Sequence, residues 1–159
     1  MPRMQLDAID LKILRELQQN AEIANSDLAE RVGLSPSPCL RRVRILREAG
    51  IIKRSVVLLD PEAVDLHINV FVRVTLSQQT EENISNFERQ VRKRPEVLEC
   101  YLMTGDEDYL LRVVVPDLGH YEHFLKTHLT RISGIANIRS SFALSQVSYS
   151  TALPLQHLT

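Results

Sequence analysis

The spacing of apolar residues changes near residue 60, and this change requires two differently built domains in one chain. Before it, apolar residues recur at helical spacing, as Leu6, Ile9 and Ile13 do. After it, residues 70–76 alternate between two faces, which is typical of a strand. The sequence therefore predicts an α+β protein. Its expected divisions are a helical domain at 1–59, a hinge at 60–68 and a sheet domain at 69–159.

The first domain is predicted to hold three short helices. Asp7 is a suitable N-cap for the first, the second begins near Asn25, and Ser35 followed by Pro36 opens the third. Gly33 lies in the turn between the second and third helices, as is typical of a helix-turn-helix. Residues 51–59 are mostly β-branched or aliphatic and predict a following strand, which would form the wing.

The third helix carries most of the positive charge of the chain. Residues 35–54 hold six Lys/Arg and one Asp/Glu, although the formal net charge of the protein is −1. A local basic patch on a nearly neutral protein is expected of a nucleic-acid reader. The alternative is a solvated helix face in a purely structural bundle. The predicted DNA contacts are Ser35, Ser37, Pro38, Cys39, Arg41, Arg42, Arg44, Lys53 and Arg54.

Within this set, residues near the helix start are predicted to read sequence. Ser37, Arg41 and Arg42 are expected to reach base edges, since recognition helices contact bases through their N-terminal residues. Pro38 and Cys39 are expected to pack against the groove. The remaining cations are assigned to phosphates, which set register but not sequence. The predicted buried stripe of the helix is Leu40, Val43 and Leu46.

The second domain is predicted to be strand–helix–strand repeated twice. The expected helices end at Pro95 and at Ser133-Gly134, and each is followed by an apolar strand. This order is the βαββαβ, or ferredoxin-like, arrangement of an antiparallel sheet with two helices on one face. An apolar sheet face left uncovered predicts pairing with a second copy. The predicted strands and helices lie at 70–76, 81–94, 97–104, 109–115, 118–132 and within 135–150.

Composition and motifs exclude several other classes of protein. No apolar run approaches the roughly 20 residues of a membrane span and no signal peptide opens the chain, so a cytoplasmic location is expected. Cys39 and Cys100 form no CxxC pair, which favours buried or half-buried free thiols. No catalytic set, cofactor motif or metal-ligand spacing stands out. Three histidines, which are more often surface or half-buried residues than ligands, lie on one helix: His120, His123 and His128.

Three motifs carry a resemblance to a known family. They are Leu6-Asp7 with Asp10 and Ile13-Leu14, the run from Val32 to Val43 containing Ser-Pro-Ser-Pro-Cys, and the run Gly105-Asp-Glu-Asp-Tyr-Leu-Leu. Together with the domain order, they resemble the Lrp/AsnC (feast/famine) family of bacterial and archaeal transcription regulators, over nearly the whole chain. The second and third motifs are similar to the leucine-responsive branch.

The resemblance implies a regulator that binds double-stranded DNA and responds to an amino acid such as leucine or methionine. It implies a homodimer built by the C-terminal sheets, assembling to an octamer, with the effector bound between dimers. Ser141 and Ala143 depart from the bulkier residues usual in the leucine-responsive branch. The effector residues carried over from the family are Leu102, Met103, Thr104, Gly105, Asp106, Asp108, Ser141, Phe142 and Ala143.

The chemistry of the loop at 105–108 fits a zwitterion. Asp106 or Asp108 can accept from an ammonium group, and backbone N–H groups of a glycine turn can bind a carboxylate. The alternative is a hairpin loop whose aspartates bond their own backbone. Two other functions stay open: an architectural protein that wraps DNA, and a siroheme-decarboxylase-like enzyme that uses the histidines.

Overall fold

The computed structural model describes residues 5–158, which divide into two compact units. One unit holds the chain up to Leu58 together with the segment from Val147 onward, and the other spans Leu59–Gln146. The sequence assigned the segment after residue 146 to the sheet domain, whereas in this structure it groups with the helical unit. Leu155 packs against the helical core, and the Gln18 side chain pairs with the backbone of Leu153 through bonds of 3.2 and 2.6 Å.

The helical unit contains α1 (Ala8–Gln19), α2 (Asn25–Val32) and α3 (Pro36–Glu48). Asp7 caps α1 as predicted: its carboxylate accepts from the backbone of Ile9 and Asp10, and the Asp10 side chain accepts from the backbone of Asp7 in return. The three helices enclose one small core, which fixes how α3 is presented. The buried apolar residues of this core are Ile13, Leu14, Leu28, Ala29, Val32, Cys39, Val43 and Leu46.

The strand expected at 51–59 does not form. Residues 53–60 have no regular secondary structure, and the side chains of residues 56–59 are exposed. β-Branched residues favour an extended backbone, but a strand also needs a hydrogen-bonded neighbour. Within residues 5–158, every strand pair belongs to the sheet of the second unit. Local composition thus predicted a strand for which this chain offers no partner.

The second unit confirms the predicted βαββαβ order. Its elements are β1 (Ile68–Leu76), α4 (Glu81–Val91), β2 (Val97–Leu102), β3 (Tyr109–Val115), α5 (Leu118–Thr127) and β4 (Ile135–Phe142). The sheet is antiparallel with strand order β2-β3-β1-β4, so the two central strands are β3 and β1. Alternate residues of these strands pack against Phe87 of α4 and Phe124 of α5. The helix expected to reach residue 132 ends earlier and continues as a 3-10 turn at Leu129–Arg131.

The sheet face away from the helices is less apolar than predicted. Phe71 lies on it, but so does an ionic network centred on Arg112. Arg112 donates to Glu99 at 3.0 Å and to Asn69 at 3.2 Å, and the Tyr101 hydroxyl donates to Glu99 at 2.9 Å. Burial disfavours the Glu99 carboxylate, but the bonds from Arg112 and Tyr101 outweigh it, so the Glu99 pKa lies below its ordinary value. A second copy on this face would have to match charge as well as shape.

Candidate nucleic-acid interface and ligand loop

One exposed face of α3 combines a hydroxyl, two guanidinium groups and one aliphatic side chain. Ser37, Leu40, Arg41 and Arg44 lie at i, i+3, i+4 and i+7, and all four are exposed. We refer to these four residues as the α3 face. The opposite side of the helix, with Cys39, Val43 and Leu46, is buried in the core. A straight helix face of this composition can enter a major groove.

The buried face of α3 is shifted by one residue from the predicted one. Leu40, expected in the buried stripe, is 59% exposed, whereas Cys39, expected against the groove, is completely buried. Burial also raises the pKa of the Cys39 thiol, so this residue is a small core side chain. Pro38 is half-buried at the helix start. The face contact predicted for Cys39 is therefore wrong, and Leu40 is a surface residue that the prediction missed.

The start of α3 is held firmly against α2. Gly33 adopts the left-handed conformation with φ of 77°, which ends α2 and turns the chain. Leu34 N–H donates to the carbonyl of Ala29 at 2.8 Å, and the Asn25 side chain donates to the carbonyl of Pro36 at 2.8 Å. Ser35 occupies the N-cap position, as predicted, but its side chain makes no capping bond. These two bonds across the turn, one from the backbone and one from a side chain, set the direction of α3.

Arg42 does not share the exposed face of its neighbour Arg41. Its guanidinium Nη1 donates to Asp7 at 2.7 Å and to Asp10 at 2.8 Å. The Asp10 side chain is only 5% exposed and the Arg42 side chain 29%. Arg42 therefore ties α3 to the capped start of α1, which corrects its assignment to base reading. A sequence shows no signal for this pairing, because the partners lie more than 30 residues apart.

Other predicted DNA contacts are exposed cations. Within the described part of the helical unit, Arg41, Lys53 and Arg54 make no ion pair, and Arg44 approaches Glu48 only at 3.9 Å. Surface pairs of that length contribute little. These four side chains are accordingly available to a polyanion. They are the physical basis for a nucleic-acid interface at α3.

The loop after β2 is anchored by Asp108. Asp108 is 8% exposed, and its carboxylate accepts from the backbone N–H of Leu76 and from the side chain of Gln79, both at 2.6 Å. Its backbone N–H donates to the carbonyl of Val74. The Asp108 carboxylate is therefore occupied by the end of β1 and the turn after it. Its predicted role as an acceptor for a bound ammonium group is not supported by this geometry.

The rest of the loop is open. Gly105 has φ of 119°, a conformation that L side chains rarely adopt. Asp106 is exposed and has no hydrogen bond or ion pair among residues 5–158, whereas Glu107 turns to Arg139 at 3.8 Å. The lead-in at 102–104 is exposed as well. Of the two candidate aspartates, only Asp106 presents a free carboxylate.

Residues 141–143, the last part of the predicted ligand site, lie at the opposite end of the sheet from the loop. Phe142 pairs with Val70, whereas Tyr109, next to the loop, pairs with Val74. Four residues of β1 separate these positions, or about 13 Å. Phe142 meets Tyr121 of α5 edge to face, while Ser141 points to the opposite sheet face and Ala143 lies beyond the strand. Within one protomer, residues 141–143 do not join the loop, so a site that contains both requires a second copy.

Two of the three candidate histidines, His120 in α5 and His128 at its end, make local contacts. His120 pairs with Asp117, the N-cap of its own helix, at 2.9 Å, and His128 lies 3.5 Å from Arg94. No cluster of three or more His, Cys, Asp or Glu side chains within residues 5–158 is arranged to hold a metal ion. No helix in that part of the chain has the length and apolar character needed to cross a membrane.

Two family models match the chain. A family model described as winged helix-turn-helix DNA-binding matches residues 6–53, and one described as Lrp/AsnC ligand binding domain matches residues 69–153. The chain is 47% identical over 151 residues to the Bkd operon transcriptional regulator of Pseudomonas aeruginosa, covering 95% of this chain and 99% of the relative. It is 40% identical over 155 residues to the leucine-responsive regulatory protein of Escherichia coli, covering 98% and 94% respectively.

Solved structures give the same result. A transcriptional regulator from Neisseria meningitidis, crystallised as a complex with L-Met, matches with a TM-score of 0.93 at 43% identity. That match covers 97% of this chain and 99% of the other. An AsnC family transcriptional regulator from Agrobacterium tumefaciens matches with a TM-score of 0.92 at 44% identity, covering 97% of this chain and 100% of the other.

Proposed function

Because this chain belongs to the Lrp/AsnC family, and is a DNA-binding transcription regulator with an amino-acid-binding domain and not an enzyme, we propose how it binds DNA and effector. The α3 face enters the major groove, with Ser37 and Arg41 at base edges. Arg44, Lys53 and Arg54 contact phosphates, with Ser35 at the helix start. The observation that carries this proposal is the exposed, unpaired guanidinium of Arg41 in the first two turns of α3.

Arg41→Ala is expected to lower the discrimination between a specific site and random DNA by about tenfold. A bidentate arginine–guanine contact contributes roughly 1–3 kcal/mol of discrimination, and this variant removes it. A suitable site is obtained by selection from a random duplex library with the full-length protein. Kd values for selected and random duplexes are then compared at the same salt concentration.

Arg47→Ala is the matched control for Arg41→Ala. Arg47 is exposed in the last turn of the same helix, one turn beyond Arg44 and away from the N-terminal residues proposed at base edges, and it makes no ion pair within residues 5–158. It should leave the discrimination unchanged. Equal losses on both duplexes for Arg41→Ala, with a smaller salt dependence, would place Arg41 at phosphate instead.

For the effector, we propose an α-amino acid bound at the 102–106 loop, with Asp106 accepting from its ammonium group. The free carboxylate of Asp106 and the exposed backbone at Gly105 support this assignment. Residues 141–143 can contribute only from another copy, since about 13 Å separates them from the loop in one protomer. A site between dimers, in a homodimer that assembles further, satisfies this condition. A DNA-bound regulator of this kind is also expected in the cytoplasm.

Asp106→Asn is expected to reduce stabilisation by an amino acid ligand. A ligand at 100 times its Kd stabilises the folded state by about 2.7 kcal/mol, and a tenfold weaker Kd halves that figure. Thermal unfolding is measured with each of the twenty amino acids, beginning with L-Met and L-Leu. Glu107→Gln is the control, because Glu107 faces Arg139 and not the open loop. An unchanged shift in Asp106→Asn would exclude Asp106 from the site.

Assembly is the second readout of effector binding. A ligand shifts an assembly equilibrium only if it binds two assembly states with different affinity. Sedimentation with and without the amino acid that gives the largest thermal shift is expected to show a changed distribution. No change in either assembly or DNA affinity would refute the effector-response proposal.

A further inference from the structure

Leu40 is an exposed apolar side chain in the middle of the α3 face. It follows Ser37 by three residues and precedes Arg44 by four, with Arg41 beside it. Single exposed leucines are common on protein surfaces and by themselves need no explanation. Leu40 differs because it lies among the cationic side chains of the recognition helix, at the fifth residue of α3.

The position of Leu40 is rigidly defined. Cys39, which directly precedes Leu40, and Val43, one helical turn after it, are both buried in the helical core. The α2–α3 turn is held by the Asn25–Pro36 bond. The Leu40 side chain therefore projects from a backbone that cannot rotate without breaking this core. Any groove that receives Arg41 and Ser37 also receives Leu40.

The chemistry of base edges selects one partner for this side chain. In the major groove, bases present hydrogen-bond donors and acceptors, and thymine alone adds an apolar group, its C5-methyl. The Leu40 side chain has no hydrogen-bonding atom, so it cannot accept a hydrogen bond from the amino group of cytosine or adenine. Contact with a thymine methyl instead buries apolar surface on both partners.

We propose that Leu40 contacts a thymine C5-methyl and so selects thymine over cytosine at one position of each half-site. This inference depends on the proposed placement of the α3 face in the major groove. It adds a position read by shape and apolar contact to those read by hydrogen bonds. Leu40 is thus a specificity-determining residue.

Replacement of thymine by deoxyuridine tests the contact, because it removes the methyl group and leaves the base-pairing pattern unchanged. The selected duplex is prepared with each thymine replaced in turn, and Kd is measured for the full-length protein. One symmetric pair of positions is expected to bind about fourfold more weakly in the uridine form, as loss of one buried methyl predicts. Leu40→Ala is expected to bind the thymine and uridine forms equally at that position.

Ile45→Ala is the matched control. Ile45 is also an exposed aliphatic residue of α3, 40% exposed, but it projects from a different side of the helix. It should retain the thymine preference at every position, and thermal unfolding checks that both variants fold. An unchanged thymine-to-uridine ratio in Leu40→Ala, or a wild-type protein that ignores every replacement, overturns the inference.

The same experiment separates this inference from the proposed function. If the protein enriches no sequence from the library, groove reading by α3 fails and the Leu40 contact fails with it. If a site is enriched and Arg41→Ala lowers discrimination while Leu40→Ala keeps the thymine preference, only the Leu40 contact is refuted.

Discussion

Arg42→Ala is expected to lower the free energy of unfolding of the helical unit by about 2 kcal/mol and to weaken binding to all DNA sequences equally. Removal of the guanidinium leaves the Asp10 carboxylate, 5% exposed, without its cationic partner. Hydrogen bonds to charged groups contribute about 1.5–3 kcal/mol, and an unpaired buried partner adds a desolvation penalty. Urea unfolding of the full-length protein, with Kd values for selected and random duplexes, measures both effects.

Acid unfolding provides a second readout for Arg42. The Asp7 pKa lies below its ordinary value of 3.8, first because the backbone N–H of Asp10 donates to it and second because Arg42 does. The stability from this ionised group is complete above pH 3.8 and is lost as pH falls through the lower pKa of the folded state. In Arg42→Ala, one of these causes is removed, so acid unfolding should begin at higher pH.

Arg47→Ala is again the control, and neither stability nor the acid transition should change in it. If Arg42→Ala leaves stability intact but reduces discrimination between selected and random DNA, Arg42 reads bases. That result would restore the role predicted from the sequence and refute the structural one.

Asp108→Ala is expected to destabilise the sheet unit by about 3 kcal/mol. Two hydrogen bonds of 2.6 Å would be lost at a residue that is 8% exposed, and the Leu76 N–H would be left without its acceptor. Mutations that break a buried polar cluster belong to the small group with large effects. Urea unfolding and hydrogen exchange at the Leu76 amide are the measurements.

Asp106→Ala provides the comparison within the same loop, because its carboxylate is exposed and unpaired in the described chain. It should leave stability unchanged while reducing the thermal shift produced by an amino acid. The opposite pattern, with a stable Asp108→Ala variant that has lost only ligand binding, would place the ammonium acceptor at Asp108.

Elements with strong local signals were predicted well. The cap at Asp7, the turn at Gly33 and the start of α3 at Pro36 all lie where the sequence placed them. The βαββαβ order follows from alternation and from breakers after each helix. These features depend on residues within one or two turns of each other, so the local sequence contains most of the relevant energetics.

The rotation of α3 was harder to predict. Both Leu40 and Cys39 form a helical repeat with Val43 and Leu46, at spacings of three or four residues. Adjacent residues differ by only about 100° around a helix, so periodicity alone admits either phase. Packing against α1 and α2 buries Cys39 and exposes Leu40. This one-residue difference changes which side chains face a DNA groove.

Pairings over long sequence separations were not predictable for a different reason. Arg42 with Asp10, Asp108 with Leu76, and Gln18 with Leu153 join segments that have no local signal for each other. Such a contact contributes to stability only after the chain has folded. In the sequence, its residues look like ordinary surface residues. The missing strand at 51–59 is the converse case, a strong local preference without a neighbouring strand.

The sequence by itself determined the main helices, the strands of the sheet, the order of these elements, the family and the basic character of the third helix. Only the tertiary structure decided which arginine faces outward, which aspartate is free and where residues 141–143 lie. The physical reason is that secondary structure depends on nearby residues and hydrophobic period, whereas the availability of a side chain depends on what packs against it. Arg41 and Arg42 are neighbours in the chain, yet only Arg41 remains free for a ligand.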